Sequence, residues 1–329
     1  MTVAGKNVLA TGAGGFIGSH LTEALVRAGA HVRALDHYNS RGSWGQLDRL
    51  HRDVRSEVEV ILGDVRDGER MRQVVDSRQI VFHLAALIGI PYSYLAPRSY
   101  LQTNVEGTLN VLEACREKGV ERLLHTSTSE VYGTPQTVPI HETHALHAQS
   151  PYAASKAAAD QLALSYHATF DLPVAVLRPF NTYGPRQSAR AVIPTIIAQA
   201  LAGNRVALGS TDTIRDFLYV ADTVRGYLAA SEALDACGEV IQLGTGLGTK
   251  ISEVVALVET ILGRKVVVAT DSHRHRPGKS EVRQLICSPA KAGAVLNWRP
   301  EVDLETGLRQ TVEWIDAHQA DYRADQYSV

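Results

Sequence analysis

The chain has 329 residues, with 33 Lys and Arg against 35 Asp and Glu for a formal charge of -2 at pH 7. It is 45% hydrophobic and 21% charged, which suits a globular protein of one large or two small domains and excludes disorder, collagen and coiled coil. The near-neutral balance gives no footprint for nucleic acid or an anionic membrane, and no apolar run nears the roughly 20 residues of a membrane span.

Cys115, Cys237 and Cys287 lie far apart with no Cys-x-x-Cys pair, so neither a zinc knuckle nor a disulfide framework is expected. Free thiols suit a reducing cytoplasm. The start, Met1 to Lys6, lacks a basic region followed by an apolar core, so no signal peptide is expected.

Asn7–Ala10 reads as a first strand, followed by glycines and a helical pattern of Phe16, Leu21, Leu25 and Val26. His31–Leu35, Val58–Leu62, Ile80–Leu84, Arg122–His125 and Val174–Leu177 read as further strands with helical stretches between them. Strands alternating with helices imply a doubly wound α/β fold on a parallel sheet, the Rossmann type. From about Asn181 the pattern becomes more helical: Val192–Ala202, Val220–Leu234, Ile251–Leu262 and Thr306–Ala317. We therefore expect a first domain over 1–180 and a smaller α/β domain over 181–329 at the carboxyl ends of the strands, where ligands of open sheets bind. Glu239–Leu243 is a strand that could return to the first sheet.

Thr11-Gly12-Ala13-Gly14-Gly15-Phe16-Ile17-Gly18 follows the first strand and opens a helix. Gly12 permits the tight turn, Gly15 lets backbone approach a pyrophosphate, and Gly18 lets helix pack on strand, a dinucleotide-binding arrangement. Asp36 ends the second strand, where a carboxylate accepts hydrogen bonds from the adenosine ribose and repels a 2′-phosphate. NAD is therefore expected over NADP, although Arg33 and Arg41 lie nearby. Asp64-Val65 after the third strand and Leu84-Ala85-Ala86 after the fourth complete the expected cofactor edge.

Tyr152 and Lys156 stand at i and i+4 of a helix with Ser150 as N-cap and Pro151 at its first position, so they share one face. A lysine ammonium beside a phenol favours phenolate, which would make an exposed Tyr152 a base near neutral pH. Thr126-Ser127-Thr128-Ser129-Glu130 follows the fifth strand, and its hydroxyls can hold an alcohol being oxidised. Glu130 is the carboxylate of that stretch. His141, His144 and His147 read as a solvated loop, because this chemistry needs no metal.

Together with Arg178-Pro-Phe-Asn181-Thr-Tyr-Gly-Pro185, these motifs resemble the extended short-chain dehydrogenase/reductase family acting on nucleotide sugars, from Lys6 to about Ile315. The resemblance implies a Rossmann domain holding NAD, a smaller domain binding a nucleoside-diphosphate sugar (a UDP-sugar in the first instance) and a homodimer. It implies that Tyr152 takes the proton from the sugar C4 hydroxyl, that Lys156 binds the nicotinamide ribose and that Thr128 bonds the same hydroxyl. Asn181, Arg190, Arg215 and Arg276 match substrate-binding positions.

A 4-keto sugar can be re-reduced, lose water across C5–C6 or, as a uronate, lose carbon dioxide. An epimerase needs no base beyond the Tyr/Lys pair, so Glu130 argues for chemistry at C5 or C6. The dTDP-glucose 4,6-dehydratases carry Thr-Asp-Glu in this stretch, and Ser129 departs from it. Thr-Ser-Glu occurs in nucleotide-sugar decarboxylases and in dehydratases of the legionaminic-acid pathway type. Ala85–Tyr94, Gly184–Pro194 and Arg276–Glu281 resemble the latter. The expectation is a 4,6-dehydratase, with UDP-glucuronic acid decarboxylase and 4-epimerase as alternatives.

Overall fold

The computed structural model describes residues 2–323. Six strands of its main sheet come from the first half of the chain: β1 (Asn7–Thr11), β2 (His31–Asp36), β3 (Val58–Leu62), β4 (Ile80–His83), β5 (Arg122–Thr126) and β6 (Val174–Pro179). They lie in the order β3-β2-β1-β4-β5-β6, all parallel, with Val240–Leu243 as the seventh strand beside β6. Side chains alternate between faces along each strand. Val8, Phe82, Leu124 and Leu177 meet Leu21 and Leu25 of α1 (Phe16–Arg27) on one face. Leu9, Val81, Leu123 and Val176 meet Met71, Val111 and Ala163 on the other, from the helices Gly68–Val75, Gly107–Lys118 and Pro151–Phe170. Both faces are covered, which is why the strands read as near-continuous apolar runs.

The chain leaves β1 towards β2 on one side and pairs β1 with β4 on the other, so a crevice opens above β1 and β4. A second layer stands over it. Ile196 and Ile197 of the helix Val192–Ala202, Val254 and Val258 of Ile251–Leu262, and Leu308 and Ile315 of Leu304–Ala317 form its core. The last helix begins two residues before the sequence pattern suggests, because Asp303 caps it by accepting the Thr306 N–H at 2.8 Å.

Residues after 181 serve both layers. Val240–Leu243 extends the main sheet. The helix Val220–Glu232 places Val224, Tyr227 and Ala230 in the same core as α1, joined by Trp298. A chain ended at residue 180 would leave Leu124, Ala175 and Leu177 uncovered on that face. We expect it to show no cooperative thermal transition by circular dichroism. A sharp transition would mean that residues 1–180 hold a complete core of their own.

Candidate active site

At the crevice, the glycine-rich turn is shaped by close approach. Gly12 has φ +68°, and a Cβ there would lie 2.8 Å from the Ala85 nitrogen. A Cβ at Gly18 would collide with the Gly12 carbonyl, and one at Gly14 with the Asp36 carboxylate. Thr11 Oγ1 accepts the N–H groups of Leu84 and Ala85 at 3.2 Å, tying the turn to the loop that continues through Ala86. α1 starts at Phe16, followed by Ile17 and Gly18, with no acidic residue in its first turn and no side-chain cap from Gly15. Its free N–H groups therefore suit a pyrophosphate.

Asp36 lies over Gly14, with its carboxyl pushed up by burial against backbone hydrogen bonds that lower it. Arg33 is engaged elsewhere: its Nε and Nη2 donate to Glu59 at 2.9 and 3.0 Å. Asp64 is paired with Arg66, whose Nε donates to it at 3.0 Å, and this bond holds its carboxyl at about 2. Val65 is buried against Gly107.

The helix Pro151–Phe170 starts as its sequence implies, with Ser150 Oγ accepting the Ala153 N–H at 3.1 Å. One expectation needs correcting. Tyr152 and Lys156 are not a solvated pair: they are 7% and 4% exposed. Tyr152 packs with Ile90 and Tyr100. Its phenol is pushed up rather than down; burial is the largest cause, and the Thr128 hydroxyl acts against it. The lysine is the group brought towards neutrality, pulled by burial to about 8. The local i, i+4 geometry was legible, but the depth of the helix start beneath the second layer was not.

Thr128 caps a short turn over Ser129–Tyr132, accepting the Glu130 N–H at 3.3 Å; Ser129 is buried in that turn. Glu130 is brought from the fifth-strand end to Arg276, 146 residues away, with Nη1 to Oε1 at 3.5 Å. Arg215 is buried beside them and donates to Glu281 at 3.3 Å. The Asn181 backbone N–H donates to the Asp216 carbonyl at 3.0 Å, while its buried side-chain Oδ1 finds no partner among the described residues. Arg190 is exposed and lies near Gly89, on the loop that follows β4. Thr128, Glu130, Tyr152, Arg215 and Arg276 thus converge, while Arg190 approaches from the loop side.

Sequence reading missed the groups beneath Lys156. Asp160, Arg178, His125, Ser127 and Tyr132 form a buried polar cluster there. Asp160 stands at i+4 from Lys156, a spacing that could have flagged it.

A Rossmann sheet with a Tyr/Lys helix at its crevice is the build of an extended short-chain dehydrogenase/reductase. The chain belongs to the family described as GDP-mannose 4,6 dehydratase, matched over residues 9–311. It is 32% identical to a dTDP-glucose 4,6-dehydratase of Actinoplanes sp., over 95% of this chain and 98% of the relative. It is 31% identical to a UDP-N-acetyl-alpha-D-glucosaminuronate decarboxylase of Bacillus cytotoxicus, over 94% and 97%. The solved UDP-glucuronic acid 4-epimerase of Bacillus cereus, in complex with UDP-glucuronic acid and NAD, superposes with a TM-score of 0.86 at 30% identity, covering 95% of this chain and 99% of that one.

Burial of Lys156 has a pH signature. Its folded value, about 8, lies below the ordinary 10.5. Between these values the unfolded chain holds a proton the folded chain has lost, so stability rises with pH through that window. With nucleotide removed, Lys156→Met should melt above wild type at pH 7, and the gap should close towards pH 10. A gap of constant size would contradict the buried ammonium.

Proposed function

We propose that the protein is an NAD-dependent nucleotide-sugar 4,6-dehydratase. The observation that carries this is Glu130: a carboxylate held at the Thr128/Tyr152 turn, next to Arg276, where an epimerase would need none. The glycine cradle and Asp36 would hold NAD, which when bound would supply a hydride acceptor for C4 and a donor for C6. Tyr152 takes the C4 hydroxyl proton as phenolate, with Thr128 orienting that hydroxyl; the Lys156 ammonium favours that form against the burial that raises the phenol. Glu130 removes the C5 proton made acidic by the C4 ketone. Once protonated, it can hand that proton to the departing C6 hydroxyl, a role that Ser129 cannot fill as an acid. C5 is finally reprotonated from solvent while Tyr152 releases its proton to solvent, so the sum is NDP-hexose to NDP-4-keto-6-deoxyhexose and water. Asn181, Arg190, Arg215 and Arg276 are proposed to hold the nucleoside diphosphate, for which Arg forks suit phosphate. A second reading, UDP-glucuronic acid decarboxylase, is favoured by the two guanidinium groups, Arg215 and Arg276, which could equally hold a C6 carboxylate.

Glu130→Gln should still oxidise C4 and then stall, so bound NADH accumulates with little dehydrated product. Tyr152→Phe keeps the ring packing and should fold normally while turnover falls about a hundredfold or more. Across UDP-, dTDP- and GDP-hexoses and UDP-uronic acids, mass spectrometry should find loss of water. Loss of carbon dioxide from a uronate alone, with no hexose dehydrated, would overturn the dehydratase reading.

Cofactor choice is tested on the purified protein. Denaturation should release NAD or NADH. Recovery of mainly NADP would show that the exposed Arg41 outweighs Asp36.

A further inference from the structure

Beneath the Tyr/Lys pair lies a set of buried charges for which the C4 and C5 chemistry has no direct use. Asp160 is fully buried, and it follows Lys156 by one helical turn, so it shares the face that carries Tyr152 and Lys156. Its Oδ2 accepts from Ser127 Oγ at 2.6 Å and from Arg178 Nε and Nη2 at 3.1 and 2.9 Å. Its Oδ1 is buried without a hydrogen bond. His125 Nε2 lies 3.3 Å from that oxygen, outside hydrogen-bond geometry but close enough to help lower the Asp160 carboxyl.

The charges can be summed strand by strand. From β4, His83 is fixed between Thr11 and Thr108 at 2.8 and 3.0 Å. From β5 comes His125, and from β6 comes Arg178, which also donates to the Tyr132 hydroxyl at 2.7 Å. Gln242 donates to the same hydroxyl at 2.6 Å. Burial is the largest cause that lowers both histidines, joined at His83 by His125 and Lys156 and at His125 by Lys156 and Arg178, with Asp160 pulling His125 the other way. That leaves two cations, Lys156 and Arg178, and one anion, Asp160. The Tyr152 phenol, one turn before Lys156, is raised by the charges of Glu130, Tyr100 and Asp160 as well as by burial.

An ammonium with so little water sheds its proton unless a counter-charge stands close. Asp160, one helical turn on and fully buried, is the group whose charge opposes that loss. We propose that Asp160 is a positioning residue of the reaction: it is the counter-charge that keeps Lys156 protonated beside Tyr152, with Arg178 and Ser127 clamping it in place. This rests on reading Tyr152 and Lys156 as the reacting pair. Oδ2 spends its lone pairs on Ser127 and Arg178, and Oδ1 is left to act through its field.

The test reads Lys156 directly. The NAD-loaded protein is labelled with 13C at lysine Cε, the Lys156 signal is assigned by its loss in Lys156→Met, and its titration is followed by NMR. Asp160→Asn should lower the Lys156 midpoint by about one unit or more. The double variant Asp160→Asn/Arg178→Gln removes both partners of the buried pair and so avoids a stranded charge. It should also show a fall, even where the single variant folds poorly. Arg178→Gln alone should leave the midpoint unchanged or raise it, and Asp160→Glu should restore it. A midpoint unmoved in the double variant would overturn the proposal. So would an equal fall in Arg178→Gln alone, because that would mark loss of packing rather than loss of the Asp160 charge. The alkaline limb of turnover should move in parallel. If no nucleotide sugar reacts, the NMR titration still decides the role of Asp160, and only the proposed function fails.

Discussion

A lysine that has to carry a charge where almost no water reaches it is the constraint on which this site is built. Lys156 lies 4% exposed at the start of a long helix, and its ammonium is costly there. The surrounding structure meets that cost with elements drawn from the whole sheet. β4 and β5 supply imidazoles that stay neutral, β6 supplies Arg178, and the helix itself supplies Asp160. Burial has a chemical return as well. Electrostatic interactions strengthen as water is excluded, so a charge beside the phenol matters more than it would on a surface.

The same crevice joins two kinds of recognition. On one side, the glycines of the turn leave room for backbone to approach the proposed dinucleotide, and a Cβ at Gly12, Gly14 or Gly18 would strike a neighbour. On the other, the second layer lowers Arg215 and Arg276 towards the strand ends, where they meet Glu130 and Glu281. The layers are not independent. Val240–Leu243 and the helix Val220–Glu232 pass from one to the other, so the substrate side is anchored in the sheet that holds the cofactor side.

Features set by short spacing were legible in the sequence. The glycine turn, the parallel α/β alternation, the Ser150 cap and the shared face of Tyr152 and Lys156 all depend on residues within a few positions of one another. What was not legible depends on distant pairing. Glu130 and Arg276 meet across 146 residues, and Arg178 reaches Asp160 from another element. The burial of Tyr152 belongs to this second kind. Local periodicity gave a helix face but not what covers it, so a phenol expected to be exposed and lowered is instead buried and raised. Arg33 shows the same limit: beside Asp36 in sequence it competes for the ribose end, but in space it belongs to Glu59.

The central claim is that Glu130 makes this a C5–C6 elimination rather than a simple inversion at C4. It is tested most directly by running the wild-type reaction on nucleotide hexoses in heavy water and locating the label in the product. The account predicts a product lighter by one water, with one solvent deuterium at C5 and the original C4 hydrogen at C6. A product of unchanged mass, inverted at C4 and free of deuterium at C5, would contradict it.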